Sequence, residues 1–298
     1  QESRLAHIDA VQDKAFYLAE AGLDRKLQEL RIGLTANLPA TSYGEGTYEA
    51  TYDAVTSRIT STGTVNGTQI QRTVTAVVQR EFPPGVRAAI SAGDNVTVRG
   101  NFNIDGRNHD ANGNLTGAPG TYGISSAGTV NQGGSSNIGG NGIAPANPAN
   151  PATVEQNATT NVFTTPEAAL GLSPGSLDQY KTSTPPATPF NGIVYLTSNW
   201  IAPNLGTEAN PSTGVLIVHS DVGDAVLKNV HGWFKGLIIA DNITHINGNA
   251  TLIGGAILQN TTGNSVGNGN ANVKYGSDIL SNLPTSNYST ISWEDAQT

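Results

Sequence analysis

One repeat constrains the fold more than any other feature of this 298-residue chain. Glycine-led apolar runs GIVYL, GVLIV, GLIIA and GAIL begin at Gly192, Gly214, Gly236 and Gly255, that is 22, 22 and 19 residues apart. Between them lie shorter strand-like runs: Val226–Val230, Ile243–Ile246 and Ala250–Ile253. A single turn of such a chain cannot bury its own inward side chains. Stacked turns can, and a period near 20 residues with two or three short strands per turn predicts a mostly parallel β-helix, or β-solenoid. The register then places Ile193, Val215, Leu237 and Ala256 at equivalent positions on successive rungs. An antiparallel sandwich is the rival, because period alone does not fix strand direction. Runs at Arg87–Ser91, Asn95–Val98, Asn101–Ile104 and Tyr122–Ser125 read as earlier rungs, and Asn272–Tyr275 as the last. The proline-rich stretch at about 142–191 reads as an excursion over the surface, with Thr165 and Pro166 opening a short helix. The tail from Asn282 to Thr298 is polar and reads as a cap or a frayed end.

The first thirty-odd residues have a different period. Phe16, Ala19, Leu23, Leu27, Leu30 and Leu34 recur three or four apart, and Ile8, Val11, Ala15, Leu18 and Gly22 form a second seam. Gly33 supplies a stop. The helix would be roughly 50 Å long at 1.5 Å per residue. Residues 46–82 then read as three antiparallel strands with one apolar face, Asn66-Gly67 forming a type I′ turn. The helix is the natural cover for that face. Pro83-Pro84 marks a boundary. The expected class is therefore α+β: a unit at 1–84, a long N-terminal helix on an antiparallel β-meander, followed by a β-solenoid head at 85–298. The helix's C-terminal half is expected against the sheet, and its N-terminal half is expected to project.

Composition excludes several functions. With a net charge of −8 and no basic run, nucleic acid is not an expected partner. The absence of Cys removes disulfides and thiolate metal sites. With no Met, Gln1 is not a translation start, so any targeting segment is expected upstream.

The run AFYLAEAGL from Ala15 to Leu23 resembles the segment that follows the membrane helix in PilX-type minor components of type IV pili. The later run from Gly236 to Leu258, with Lys274-Tyr275 closing a strand, is similar to β-rich domains behind such helices in pilus-assembly proteins. The resemblance implies a filament-assembly role for Ala15, Phe16, Ala19, Glu20, Gly22 and Leu23. It also implies other pilin subunits as partners, an inner-membrane stage through an upstream segment, and a final place on the cell surface. The head would then meet a host surface or a polysaccharide. The expected function is a non-enzymatic, structural or adhesive minor subunit; a polysaccharide-active β-helix enzyme is the alternative.

Three clusters carry candidate chemistry. Asp105, Asp110, Asn112 and Asn114 have the oxygen-rich alternation of a calcium loop, but the same residues also build ordinary turns. Calcium is the only cofactor this pattern suggests. His219, Asp221, Asp224, Asp241 and His245 fall on neighbouring rungs, where two carboxylates could act as acid and base or could be solvated loop residues. Tyr195, Trp200, Trp233 and Phe234 are a candidate aromatic ligand surface, with core packing as the other reading.

Overall fold

The computed structural model describes residues 2–31, 33–159, 165–259, 265–285 and 287–296, with the side chains of residues 2–7, 265 and 296 outside that description. The chain forms two compact units: residues 1–81 with 286–298, and residues 82–285.

The first unit is a helix on a sheet. Helix α1 spans Glu2–Arg31. Gly33, at φ +81°, ends it: Gly33 N–H donates to Leu30 O and Leu34 N–H to Glu29 O, the paired bonds of a left-handed C-terminal cap. Strands β1 (Leu38–Tyr43), β2 (Gly46–Asp53), β3 (Arg58–Val65) and β4 (Gln71–Glu81) follow. They form an antiparallel sheet in sequence order, and a C-terminal strand, Asn287–Ala296, adds beside β4. Sequence reasoning expects three strands here; the structure has five, because Leu38–Tyr43, ahead of the expected strands, forms β1 and the tail read as a cap or frayed end forms the last strand. The second unit is thus an insertion between two paired strands of the first, and the boundary at residue 84 is only one of two.

The Asn66-Gly67 turn also differs from its expected type. Only Gly67 has positive φ, and Thr68 N–H donates to Val65 O. A type I′ turn needs positive φ at both central residues.

The second unit is built from parallel ladders. In one sheet, Asn191–Leu196, Ser212–Val218, Trp233–Ala240 and Thr251–Leu258 pair side by side in parallel. The intervening strands Trp200–Ile201, Val226–Val230, Asn242–Asn247 and Ser265–Asn268 line up in a second parallel sheet. Inward residues such as Val215, Ile217, Leu237, Ile239, Leu227 and Ile243 are buried in one core.

The glycine column has a steric cause. Gly192, Gly214, Gly236 and Gly254 are in register and hold φ between +111° and +152°. A Cβ on Gly214, Gly236 or Gly254 would strike the carbonyl oxygen of the glycine one rung earlier. Only glycine fits such a stack. The fourth member is therefore Gly254, not Gly255, and the register expected for Ala256 is off by one. Ile193, Val215 and Leu237 do align, but Gly255 follows them, and Ala256 faces Ile238.

The order of rungs is not the order of the chain. Strand Thr251–Leu258 has its far edge shared: Thr251–Gly254 pairs with Asn272–Tyr275, and Ala256–Leu258 with Ile90–Ala92. Asn103–Asp105 and then Asn137–Gly139 continue beside the first of these. Tyr122–Ser126 and Val154–Glu155 continue beside the second. Residues 272–275, expected as the last rung, lie mid-stack. The chain enters mid-stack, builds to one end at Glu155, and resumes at the other end with Lys181–Thr182 beside Tyr195-Leu196. Of the proline-rich stretch expected to run over the surface at about 142–191, Ile143–Ala146, Val154–Glu155 and Lys181–Thr182 are instead strands of this sheet, and only the part between Glu155 and Lys181 connects its two ends. The short helix Pro166–Leu170 in that part has Thr165 as N-cap and Gly171 as C-cap, and Leu170, Leu172 and Leu177 anchor it in the core.

Candidate functional site

Helix α1 divides its residues sharply between sheet and surface. Ile8, Asp9 and Ala10 are exposed, and Val11 is buried. Val11, Ala15, Leu18, Ala19, Leu23 and Leu30 are buried on the sheet. Small residues set the approach. A Cβ on Gly63 of β3 would collide with the Ala15 carbonyl and the Ala19 nitrogen, and one on Gly22 would collide with Ser61 and Tyr48. The C-terminal half therefore lies on the sheet as expected; of the N-terminal half, expected to project, Ile8 to Ala10 face outward but Val11 packs on the sheet, and the side chains of residues 2–7 lie outside the description.

Of the six residues assigned to filament assembly, Ala15, Ala19, Gly22 and Leu23 are spent on packing within this unit. Phe16 is half-buried and meets Trp293 of the C-terminal strand edge-on, with ring centroids 5.8 Å apart. Glu20 is half-buried. The outward aromatic is Tyr17, 67% exposed. It lines a 220 Å³ groove with Leu18, Tyr43 and Val65, rimmed by the Lys14–Glu45 ion pair. The sequence signal for Tyr17 is an aromatic on the polar face of an amphipathic helix, where nothing in the fold requires one. Lys26 lies on the sheet side and is fully buried. Its ammonium donates to Leu34 O at 3.0 Å, to Ala36 O, and to Glu29 at 3.3 Å. It thereby satisfies carbonyls just beyond the helix end.

The four candidate calcium ligands do not converge. The Asp105 carboxylate takes Arg107 Nε and Nη2, at 3.0 and 2.7 Å, and faces His109 Nε2 at 3.5 Å. Burial alone would raise its pKa, but the hydrogen bonds from His109 and Arg107 outweigh that and hold it at about 2. The Asp110 carboxylate accepts instead from the backbone N–H of Asn112 and Asn114 and from the Asn114 amide. Lys274 Nζ donates to Gly113 O at 2.8 Å, placing a cation on the same turn. These are the local bonds of an Asx turn.

The aromatic platform does not form. Tyr195, Trp200 and Phe234 are buried, and Phe234 packs on Phe190 with centroids 6.0 Å apart. Trp233 alone is half-exposed. The neighbouring-rung cluster comes together only in part. Asp241, fully buried, accepts from the N–H groups of Ser220 and Ala225 at 2.9 and 3.0 Å and lies 2.5 Å from His219 Nδ1. It ties down the corner that joins strands Ser212–Val218 and Val226–Val230. Asp224 is exposed and bonded to Ser220, and Asp221 is exposed. Among the described residues no three His, Asp or Glu side chains form a metal-binding group, and no helix is long and apolar enough to cross a membrane.

No family model matches the chain. No curated protein matches it either. Among solved structures, the competence-associated pilin ComZ from Thermus thermophilus aligns over 96% of this chain and 97% of its own, at 12% identity and a TM-score of 0.23. A score that low does not establish a shared fold.

Proposed function

We propose that this chain is the head-bearing part of a pilin-like minor subunit of the PilX type, with a β-solenoid as its head. The observation that carries the reading is the first unit's construction. A 30-residue helix is clamped on an antiparallel sheet from Val11 onward. Its other face keeps charged residues and an exposed Tyr17 for contacts with further subunits. The second unit, 82–285, is inserted near the end of that sheet rather than appended. An insertion of this size suits display better than dense lateral packing, which favours a tip or sparse position at the cell surface and an adhesive role. The reading is non-enzymatic: the Asp241 carboxylate, the most buried candidate acid or base, is engaged by its own corner.

Site-specific cross-linking in cells expressing the complete gene tests this. These 298 residues hold no cysteine, so Tyr17→Cys introduces the one thiol among them. The proposal expects cross-links from that position to pilin subunits, and none from Thr62→Cys on the opposite sheet face. Equal labelling of both positions, or capture of neither in filament preparations, overturns it.

A further inference from the structure

Arg107 occupies an unusual place for the one cation of a surface cleft. Residues from Arg107 to Gly120 and the turn at Asn141-Gly142 line an open cleft of about 660 Å³, within the size range of small-molecule sites. Its wall carries Arg107, Asn108, Leu115, Pro119 and Asn141, with Gly117 and Gly120 bringing backbone to the surface. The Arg107 side chain is 24% exposed, and its partner carboxylate, Asp105, only 5%. That buried carboxylate grips one edge of the guanidinium, through Nε and Nη2. Among the described residues Nη1 has no partner. One N–H of Nη1 and the second N–H of Nη2 therefore form a free end-on fork on a group whose orientation is already fixed.

Geometry restricts what such a fork takes. Two parallel N–H donors match the two oxygens of a carboxylate. The Asp105 carboxylate already balances the Arg107 charge and no second cation lines the cleft, so the fork holds an anion through its two N–H donors, which disfavours a doubly charged ligand. Leu115, 53% exposed, and Pro119 offer apolar surface to C–H groups. The Asn141 amide nitrogen is used on Ala152 O, which leaves its side-chain oxygen to accept from a hydroxyl. A small molecule with one carboxylate, several hydroxyls and an apolar ring face fits all three. We infer that this cleft binds an acidic sugar of the uronic-acid class, its carboxylate held end-on by Arg107. The inference deepens the adhesive part of the proposed function by naming a ligand class, and binding to the isolated protein tests it independently of filament assembly.

Titration calorimetry of the intact protein with sodium glucuronate, glucose, acetate and inorganic phosphate is the test. Glucuronate is expected to bind at least about tenfold more tightly than each of the others, about 1.4 kcal/mol per tenfold. Arg107→Lys keeps the charge but loses the fork, and is expected to weaken glucuronate by roughly tenfold or more. Gly117→Phe serves as a second variant that leaves the Arg107–Asp105 pair alone. Gly117 lines the cleft and a Cβ there meets nothing within 4 Å, so a ring is accommodated without a clash, and it is expected to take up cleft space and weaken binding at an unchanged melting temperature. Glucose binding equal to glucuronate overturns the role of the charge, acetate equal to glucuronate the sugar, and phosphate equal to glucuronate the carboxylate. Undiminished binding by Gly117→Phe, or no glucuronate binding by the unaltered protein at millimolar concentration, overturns the site itself.

Discussion

The Asn287 amide donates to the Glu81 carboxylate at 3.1 Å, although 206 residues separate the two in sequence. They are the first rung of the ladder between β4 and the C-terminal strand. The whole second unit lies between them along the chain, so the last strand of the first unit's sheet comes from the other end of the sequence.

Tyr288 anchors that strand. It is 2% exposed in the core with Val74 and Val78, its hydroxyl accepts from Arg80 Nε at 2.5 Å, and the Arg80 guanidinium lies 5.5 Å from its ring centroid. Tyr288→Ala should cost about 3–5 kcal/mol, as for other buried aromatics. Hydrogen exchange resolved by residue should show the amides of β4 opening faster, with those of strand Trp233–Ala240 unchanged.

The glycine column predicts a contrast between neighbours in sequence. Gly236→Ala puts a Cβ into the Gly214 carbonyl at φ +152° and should destabilise the second unit by at least about 2 kcal/mol, the scale of a forbidden backbone region. Gly255→Ala meets only side-chain atoms at 3.6 Å or more and should be within about 0.5 kcal/mol of neutral. Urea denaturation of both variants is the measurement.

Asp105 predicts an acid limb. Its folded pKa, about 2, lies below the unfolded value of 3.8. The unfolded chain therefore binds the proton first, and the stabilisation is full above the unfolded pKa and lost as pH falls through about 2. Its size is on the order of 2 kcal/mol. Denaturation midpoints taken from pH 6 to pH 2 should fall less steeply in Asp105→Asn than in the unaltered chain.

The turn at Asp110–Asn114 predicts indifference to calcium. Its carboxylate already accepts three hydrogen bonds from within the turn. A specific site would raise stability by about 2.7 kcal/mol at a hundredfold excess over its dissociation constant. Melting curves with calcium and with chelator should superimpose.

What was legible in the sequence follows from which forces act locally. The helix was visible because its buried seam, Val11 to Leu30, keeps a period of 3.6 without a break. The parallel rungs were visible because a column of glycines is a steric requirement repeated at a fixed interval. The doublet Gly254-Gly255 hid the register, since only the carbonyl of Gly236 tells which of the two is constrained. The C-terminal strand was hidden by a bulge between Thr290 and Ser292. It moves Tyr288 and Trp293 onto one face despite their odd spacing, so the alternation that marks a strand is broken. For Tyr195 and Phe234 core packing is the favoured reading of the sequence, and their burial agrees with it. Arg107 carried no signal at all: its fork acquires meaning only when Asp105 is buried behind it.

Helix α1 divides into a sheet face and an outward face, and two substitutions six residues apart test that division most directly. Thermal denaturation of Leu23→Ala should show a loss of about 2–5 kcal/mol, while Tyr17→Ala, 67% exposed, should stay within about 0.5 kcal/mol of the parent. In cells carrying the complete gene, Tyr17→Ala should nonetheless reduce recovery of the protein in sheared filaments. A Tyr17→Ala variant that is incorporated like the parent, or one that unfolds as Leu23→Ala does, would contradict the account.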